Sequence, residues 1–377
     1  MKKIFFLIGV LLTIRVSALD LTSYSKSAIM IEPTTNSIIY ELNKDERLAP
    51  ASMTKLMTML LIMESIDSNK ISLDDMVTIS SNASSMGGSQ VFLETNSQLK
   101  VEQLLKGIAI ASGNDAAVAM AEHIAGSTNE FVNMMNNKVK ELGLKNTKFV
   151  NVHGLDADNH YSSAYDMAMI AKELLKHEKI LEYTSLYEDY LEKPDGTRTW
   201  LVNTNKLVRF YEGVDGLKTG YTSTAKYCLT STAIKNDIRF ITVVMGVDTS
   251  EHRSLDTTSM LNYGFANYKI NKILSTNDVI GNLDIKNGKV DSIKYYVSED
   301  VTDLLKNTED KSYSYNINTY NMSAPLSKDD IVGDIEIVDN TGKVIKKVDL
   351  VIKDDVEKHS FFSLFIKMYK NIINGYL

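Results

Sequence analysis

Cysteine is nearly absent from this 377-residue chain, in which Cys228 is the only one. No disulfide can form within the chain, so its fold must depend on burial of a hydrophobic core. Sites that need several cysteines are excluded, and the histidines show no metal-ligand spacing, so we expect neither a metal nor another cofactor. Cys228 has no neighbouring histidine to activate it, which favours a buried thiol in a strand over a catalytic one.

An excess of positive charge is also missing. The chain has 41 Lys and Arg against 48 Asp and Glu, a formal net charge of -7 and a pI near 5.5. Such a surface does not attract a phosphate backbone, so nucleic acid is not an expected partner. No repeat of solenoid period is present either. With 44% hydrophobic and 24% charged residues, the composition is that of a globular protein with room for two domains.

The first residues have the pattern of a secretory signal peptide. Met1-Lys2-Lys3 precedes an apolar run over 4–12, and Val16-Ser17-Ala18 supplies small side chains at the cleavage site. The pattern predicts export and removal of residues 1–18. Arg15 lies close to the apolar run and leaves an uncleaved anchor as the alternative.

Residues 19–268 mix strand and helix patterns. Two β-rich runs, 28–32 and 37–41, flank a turn cluster and predict a hairpin. β-branched and aromatic residues predict strands over 227–233 and 238–246. Helical periodicity predicts helices over 53–64, 101–112, 115–125, 129–142, 164–175 and 254–268. The order predicts an α+β domain in which helices flank one antiparallel sheet containing the first and last strands, with a helical subdomain beside it.

The remaining chain changes character after Lys269. Short alternating runs between Asn, Asp and Gly turns predict a small β-rich domain over 269–355. The end, 356–377, is predicted to form an amphipathic helix, because large apolar residues occupy one face and polar ones the other: Ser363, Lys367, Lys370 and Asn374. Its two lysines and short length favour lying in a membrane surface over spanning the membrane. A helix docked on its own domain is the alternative.

Ser52 and Lys55 are the first candidate catalytic residues. Their three-residue spacing near a helix start puts both side chains on one face within mutual reach. A serine hydroxyl needs a base to become a nucleophile, and lysine serves as one only when burial or a nearby cation keeps it neutral. The same spacing occurs at 23/26, 97/100 and 223/226, but Ser52 is followed by an uninterrupted apolar run that could bury it.

Two further motifs carry chemistry. Ser112-Gly113-Asn114 falls between two predicted helices, where it can present a hydroxyl and an amide to a cleft; helix capping is the alternative. Lys218-Thr219-Gly220 occurs once, just ahead of a predicted strand. A cation and a hydroxyl there can bind a carboxylate, and Gly220 lets a ligand backbone approach the strand edge. A solvated surface lysine is the alternative.

The order Ser-x-x-Lys, Ser-x-Asn, Lys-Thr-Gly resembles that of the penicillin-recognising serine enzymes. The stretches 48–55, 88–94, 153–164 and 203–207 are similar to those of the D-alanyl-D-alanine carboxypeptidases of the low-molecular-mass, penicillin-binding protein 5 type. The resemblance covers 27–268 and implies a β-lactamase/transpeptidase-like fold with a cleft between the sheet and the helical subdomain. It also implies a tail resting on the outer face of the cytoplasmic membrane, in the cell envelope.

The resemblance implies three catalytic residues, Ser52, Lys55 and Ser112, and a substrate-binding role for Asn114. Ser52 would attack the peptide bond between the two terminal D-alanines of a peptidoglycan stem pentapeptide, while Lys55 takes its proton. Ser112 would relay a proton to the leaving amine, and Asn114 would hold the substrate amide. β-Lactam antibiotics would acylate Ser52 as inhibitors.

The resemblance also implies a substrate-binding role for the Lys-Thr-Gly motif and for residues near it. Lys218 and Thr219 would bind the terminal carboxylate, and Lys218 would help to keep Lys55 neutral. The backbone N–H groups of Ser52 and Tyr221 would form the oxyanion hole. Arg253 would assist in binding the carboxylate. His153 resembles a cleft-lining histidine of the family, with a structural loop histidine as the alternative.

Two alternatives to the carboxypeptidase stay open at this point. Relatives often have glycine where this chain has Lys226, which keeps a catalytically impaired protein that binds D-alanyl peptides and penicillin in view. A class A β-lactamase requires a glutamate after Ser-x-Asn, in a Glu-x-x-x-Asn pattern, and here Glu141 is followed by Lys145. The missing pattern disfavours the lactamase.

Overall fold

The computed structural model describes residues 20–193 and 195–360, together with 365, 366, 369 and 373. The signal peptide predicted over 1–18 and most of the helix predicted over 356–377 therefore lie outside the described residues. The α-helices in the described part are α1 Lys55–Asp67, α2 Ser81–Ser84, α3 Val101–Ala109, α4 Asn114–Ala125, α5 Thr128–Glu141, α6 Ala164–Leu174, α7 Leu181–Thr184, α8 Leu207–Phe210 and α9 Ser250–Asn267. Short 3₁₀ helices cover Ala51–Thr54 and Glu178–Ile180.

The strands fall into an earlier and a later group. The earlier group is β1 Ser27–Glu32, β2 Ser37–Leu42, β3 Met76–Thr78, β4 Gln98–Lys100, β5 Glu188–Glu192, β6 Arg198–Val202, β7 Val214–Thr222, β8 Lys226–Lys235 and β9 Ile238–Val247. The later group is β10 Tyr268–Leu274, β11 Gly281–Lys286, β12 Ser292–Val297, β13 Val301–Lys306, β14 Tyr313–Thr319, β15 Met322–Ser323, β16 Ile331–Asp339 and β17 Val344–Ile352.

A five-stranded antiparallel sheet in the order β2-β1-β9-β8-β7 forms the centre of the first part of the chain. Distant parts of the sequence meet where β1 pairs with β9, with Ser27 opposite Met245. Both strands are rich in β-branched and other apolar residues and are almost wholly buried. The prediction that the first and last strands share one sheet is confirmed, and β7 is left at the sheet edge.

Helices cover both faces of this sheet. On one face α6 packs in the main core with Ile29 and Ile241, and on the other α9 packs with Met30 and Phe240. Helix α1 lies inside the main core, with every side chain from 56 to 63 buried. A helix that is apolar on all sides is buried on all sides, so the Ser52 end of α1 has a rigid base.

Some predicted bounds differ from the structure. The helix predicted over 53–64 begins as the 3₁₀ turn, and its α-helical part starts at Lys55. The helix predicted over 101–112 ends at Ala109, because Ser112 has a φ of 65°, a left-handed conformation through which an α-helix does not continue. The sequence places Lys218-Thr219-Gly220 ahead of a strand, whereas all three residues lie within β7.

The later strands form the predicted all-β unit with its own core. A six-stranded sheet has the order β14-β16-β17-β12-β11-β15, and β10 pairs separately with β13. All these pairings are antiparallel except the short one between β11 and β15. In the described part of the chain, no helix has the length and apolar character needed to cross a membrane.

Candidate active site

Ser52 and Lys55 lie at the N-terminal end of α1, in and directly after the 3₁₀ turn. The Lys55 Nζ atom is 3.1 Å from Ser52 Oγ. It also donates to Asn114 Oδ1 at 2.6 Å and to the His153 carbonyl oxygen at 2.8 Å. A neutral amine has two hydrogens and one lone pair, so these two acceptors can take both hydrogens while the lone pair faces the Ser52 hydroxyl.

The environment of Lys55 favours its neutral form. The residue has no exposed surface, and burial lowers the pKa of its amine well below the usual value. The nearby charge of Lys218 lowers this pKa further, while Asp115 opposes the shift. An uncharged amine beside a serine hydroxyl is the arrangement that lysine-assisted nucleophilic catalysis needs.

Ser112 faces the same cleft from the loop between α3 and α4. It is 3% exposed, and its Oγ is one of the few buried polar side-chain atoms in the described residues that lack a hydrogen-bond partner. An unpaired buried hydroxyl costs free energy unless a ligand or a reaction step uses it. The predicted grouping of Ser112 with Ser52 in one cleft agrees with this geometry.

Asn114 is the first residue of α4 and is held on both sides of its amide. Its Oδ1 accepts the hydrogen bond from Lys55, and its Nδ2 donates to the Gly87 carbonyl oxygen at 2.7 Å. The Nδ2 group has a second hydrogen, which can still donate to a ligand. The side chain therefore orients Lys55 and keeps one N–H that could donate to a substrate amide.

The opposite wall of the cleft is the edge strand β7. Lys218 is 1% exposed and donates to the Thr219 carbonyl oxygen at 3.0 Å. Burial, followed by the charge of Arg253, lowers the pKa of Lys218 to about 7. The Thr219 hydroxyl donates to Thr204 Oγ1 at 2.7 Å. The solvated surface lysine considered from the sequence is therefore wrong for Lys218, which is a buried cation beside the cleft.

Gly220 lets β7 pack against the turn that carries Ser52. A Cβ atom at Gly220 would lie 2.8 Å from the Pro50 carbonyl oxygen and 3.2 Å from the Ser52 nitrogen. Gly154 also packs closely against this turn, because a Cβ atom there would lie 1.9 Å from the Ala51 carbonyl oxygen. The sequence predicts close approach of a ligand at Gly220; in the structure the close approach is made by the catalytic turn itself.

Arg253 reaches the cleft from the first turns of α9. Its guanidinium carbon is 5.9 Å from the centre of the Tyr227 ring, and its Nε has no partner among the described residues. The residue is 8% exposed. A buried guanidinium with a free donor is suited to receiving a carboxylate. The sequence-based placement of Arg253 beside the cleft agrees with this position.

The cleft between these walls has a volume of about 590 Å³. Its lining is mostly hydroxyl-bearing and contains a single carboxylate, that of Glu251. The lining residues are Ser52, Ser89, Ser112, Thr204, Lys206, Thr219, Gly220, Tyr221, Tyr227, Ser250, Glu251, Arg253 and Ser254. Lys206 and Arg253 line this surface and the buried Lys218 lies beside it, so the groove suits a ligand with a terminal negative charge.

Sequence reasoning did not identify Asp115, which holds one rim of the cleft. Its buried carboxylate accepts hydrogen bonds from the backbone N–H groups of Val91 at 3.0 Å, Leu93 at 3.2 Å and Ala116 at 2.9 Å. These bonds fix the stretch 88–94 against α4. An acidic residue in the first turn of a helix, directly after the Ser-x-Asn motif, was the available signal.

His153 takes the structural role that the sequence left as an alternative. Its ring Nδ1 accepts from the Leu155 N–H at 3.2 Å, and burial, with a smaller effect of the Lys55 charge, lowers its pKa to about 4. The ring is therefore neutral, and the backbone carbonyl is the group that serves Lys55. His160 acts similarly, since its Nδ1 accepts from Val150 and its Nε2 is 2.8 Å from Thr54 Oγ1.

Taken together, a serine at a helix start, a buried lysine one turn on and a cationic edge strand define the class of serine enzymes that react through an acyl intermediate. Residues 14–249 match the family model described as D-alanyl-D-alanine carboxypeptidase, and residues 268–358 match the penicillin-binding protein 5 C-terminal domain. The chain belongs to the D-alanyl-D-alanine carboxypeptidase family.

Individual relatives agree over nearly the whole chain. D-alanyl-D-alanine carboxypeptidase DacF of Bacillus subtilis (strain 168) is 48% identical over 350 residues, covering 92% of this chain and 90% of the relative. DacA of Escherichia coli (strain K12) is 36% identical over 358 residues, covering 92% and 87%. The crystal structure of penicillin binding protein 5 from Haemophilus influenzae is 34% identical with a TM-score of 0.73, covering 89% of this chain and 98% of the other.

Proposed function

We propose that this chain is a serine-type D-alanyl-D-alanine carboxypeptidase that removes the terminal D-alanine from peptidoglycan stem pentapeptides. The observation that supports the proposal best is the fully buried Lys55 amine, 3.1 Å from the hydroxyl of Ser52 in a cleft with cationic groups opposite. Its family membership supports the same substrate class and the same covalent mechanism.

In the acylation step Ser52 Oγ attacks the carbonyl carbon of the penultimate D-alanine, and its proton passes to Lys55 Nζ. The oxyanion is stabilised by the backbone N–H groups of Ser52 and Tyr221, each worth about 3 kcal/mol in comparable sites. The C–N bond then breaks, and Ser112 relays the proton from Lys55 to the leaving amine of D-alanine. Lys55 is neutral again when the acyl-enzyme is complete.

Deacylation uses the same base. A water molecule attacks the ester carbonyl and gives its proton to Lys55, and that proton returns to Ser52 Oγ as the ester bond breaks. Asn114 holds the amide of the acyl portion. The terminal carboxylate of the substrate is bound by Lys218, Thr219 and Arg253. This contact selects peptides whose last residue directly follows the scissile bond.

β-Lactams would react by the same attack, with Ser52 opening the lactam ring. The leaving nitrogen then stays tethered to the acyl group and remains in the cleft. The lactamase alternative loses support because Glu141 lies on the surface, 2.7 Å from Lys138, and the one cleft-lining carboxylate, Glu251, precedes Arg253 on α9. No glutamate among the cleft-lining residues follows Ser-x-Asn in the way that enzyme class requires.

The impaired-binder alternative rests on Lys226, and the geometry there weakens it. Lys226 has a φ of 59°, which explains why glycine suits the position, and its side chain is exposed. The left-handed conformation costs a lysine about 1–2 kcal/mol, but it does not push the side chain into the cleft. We therefore expect turnover as well as acylation.

The test uses a labelled penicillin and, separately, a pentapeptide ending in D-Ala-D-Ala. The wild-type chain should be labelled and should release D-alanine, while Ser52→Ala should do neither and keep its thermal stability, because a cleft hydroxyl contributes little to packing. Labelling without D-alanine release would favour the impaired binder. Rapid hydrolysis of penicillin would favour the lactamase.

We propose a signal peptide over 1–18, a catalytic domain over 19–268, a β-rich domain over 269–355 and a membrane-surface helix within 356–377. The helix would begin after Val356 and Lys358, which form β-bridges with the β-rich domain. The protein would be exported and work at the outer face of the cytoplasmic membrane, in the cell envelope. The described residues of the tail support this, because they are apolar and exposed at helical spacing: Phe365, Ile366, Tyr369 and Ile373.

Deletion of 361–377 tests the membrane proposal. The truncated chain should move from the membrane fraction to the soluble fraction and keep its rate of penicillin acylation, because none of the described tail residues lines the cleft. The substitution of Tyr315 on β14 by Ser is the matched control, since it also removes an exposed aromatic residue. Sedimentation of the truncated chain with membranes would contradict the proposal.

A further inference from the structure

Trp200, the only tryptophan of the chain, lies on the exposed face of the hairpin formed by β5 and β6. It is 59% exposed, whereas tryptophan is usually highly buried. Tyr190 lies directly opposite on the neighbouring strand and is 50% exposed. Two adjacent aromatic side chains left in solvent indicate a binding surface. We call Tyr190 and Trp200 the aromatic pair.

The other face of the hairpin fixes the aromatic pair on the catalytic domain. Leu191 and Leu201 are buried in the main core. Asp189 on the same strand forms an ion pair with Lys106 of α3, at 2.8 Å. Because α3 leads directly into the loop that carries Ser112, the aromatic pair has a fixed position relative to the cleft.

Both ends of the hairpin contact segments that line the cleft. β6 is followed within two residues by Thr204, which lines the cleft and accepts a hydrogen bond from Thr219. At the hairpin tip Lys193 Nζ donates to the Phe92 carbonyl oxygen at 3.0 Å, three residues beyond cleft-lining Ser89. The hairpin therefore borders the cleft.

The distances suit a polymer that carries its peptide into the cleft. Trp200 and Thr204 are four residues apart, so their Cα atoms are separated by at most about 14 Å. A five-residue stem peptide spans about 17 Å when extended. A sugar bearing a peptide whose C-terminus occupies the cleft can therefore lie at the aromatic pair, and a glycan strand continues in both directions from that sugar.

We infer that the aromatic pair is a subsite for the glycan strand of peptidoglycan. The inference rests on the proposed function, because the stem peptide in the cleft brings the glycan to this surface. The apolar C–H face of a sugar ring packs on an aromatic ring, and the neighbouring cross-strand ion pair of Arg198 with Glu192, at 2.9 Å, offers donors and acceptors to hydroxyl and acetamide groups. Glu188 and Glu192 on this face disfavour an anionic membrane as the occupant.

The first experiment uses Trp200 as its own reporter. The full chain is titrated with the β-1,4-linked tetrasaccharide of N-acetylglucosamine while tryptophan emission is recorded. We expect a saturable change in emission, with affinity about tenfold weaker in Tyr190→Ala. Tyr315→Ala, which removes an exposed aromatic residue of β14, is the matched control and should bind like the wild type. No saturable change, or equal weakening in both variants, overturns the inference.

The second experiment separates the inference from the proposed function. Release of D-alanine is measured from a free pentapeptide and from the same peptide linked to a disaccharide. Trp200→Ala should raise KM about tenfold for the linked substrate alone, with kcat and the rate of penicillin acylation unchanged, and Trp200→Tyr should restore most of the loss. If Trp200→Ala leaves the KM of the linked substrate unchanged, or raises the KM of both substrates by the same factor, this inference alone is overturned. Failure of the wild type to act on the free pentapeptide overturns the proposed function, and the inference with it.

Discussion

At the scale of single residues, the site depends on two buried lysines. Protonating both at once costs free energy, because the two charges repel each other away from solvent. Lys55 has its donors committed to Asn114 and the His153 carbonyl, and burial and the Lys218 charge lower its pKa. Lys218 keeps a pKa of about 7. The proton therefore resides preferentially on Lys218, where a substrate carboxylate needs it, and is absent from Lys55, where a base is needed.

Burial of the Lys218 amine lowers the free energy of unfolding, and the pH dependence of that loss can be measured. The pKa of Lys218 is about 7 in the folded chain against an ordinary value of 10.5, so the unfolded chain binds more protons between those pH values and the wild type gains stability as pH rises through that window. Lys218→Met should therefore raise the free energy of unfolding at pH 7 by about 1–4 kcal/mol, with the gain shrinking toward pH 10. Denaturant unfolding at both pH values measures it, with exposed Lys100→Met as control. A gain that does not vary with pH would contradict the assignment.

Asp115 carries a second prediction at this scale. Asp115→Asn replaces one acceptor oxygen with an N–H donor facing the backbone N–H groups of the 88–94 stretch, and should cost about 2–3 kcal/mol of unfolding free energy. It also removes the charge that raises the pKa of Lys55, so the acidic limb of the acylation profile should move to lower pH. Asp74→Asn on the surface is the control. An unchanged melting temperature would show that the carboxylate does not hold the rim.

At the scale of elements, the cleft is formed where β7 packs on the 3₁₀ turn, and Gly220 is the contact point. Gly220→Ala should slow penicillin acylation by about 100-fold or more, because a Cβ 2.8 Å from the Pro50 carbonyl oxygen separates the strand from the Ser52 N–H. Gly87→Ala is the matched control, since its Cβ meets nothing within 4 Å. Equal acylation rates in the two variants would show that the contact between Gly220 and the 3₁₀ turn does not position Ser52.

The sequence predicts elements well where one periodicity dominates. The buried run of α1 and the apolar strands β1 and β9 are examples. The motif order predicts that Ser52, Lys55, Ser112 and Lys218 share one site, and in the structure Lys55 lies beside Ser52 while Ser112 lines the same cleft. Prediction from the sequence fails where the backbone conformation determines the bounds of an element. The left-handed φ of Ser112 ends α3 early, and the Lys-Thr-Gly motif lies inside a strand because pairing with β8, a tertiary contact, defines that strand. The role of the His153 carbonyl has no side-chain signature and could not be predicted.

At the scale of the whole molecule, the catalytic unit that contains the Ser52 cleft is followed by an all-β unit with its own core. The cleft binds the end of a peptide, and the β5–β6 hairpin beside it presents the aromatic pair to the polymer from which that peptide branches. Composition alone indicates two domains, but only the structure relates the hairpin to the cleft.

An uncharged Lys55 activates Ser52, and the pH dependence of penicillin acylation reports the charge of Lys55 during that step. The second-order rate constant should reach its maximum well below pH 10.5, because burial and the Lys218 charge lower the pKa of Lys55, and should fall as the pH rises past about 7 and Lys218 loses its proton. A rate constant that rises steadily toward pH 10, as a lysine base with an ordinary pKa requires, would show that the pKa of Lys55 is not lowered in the site.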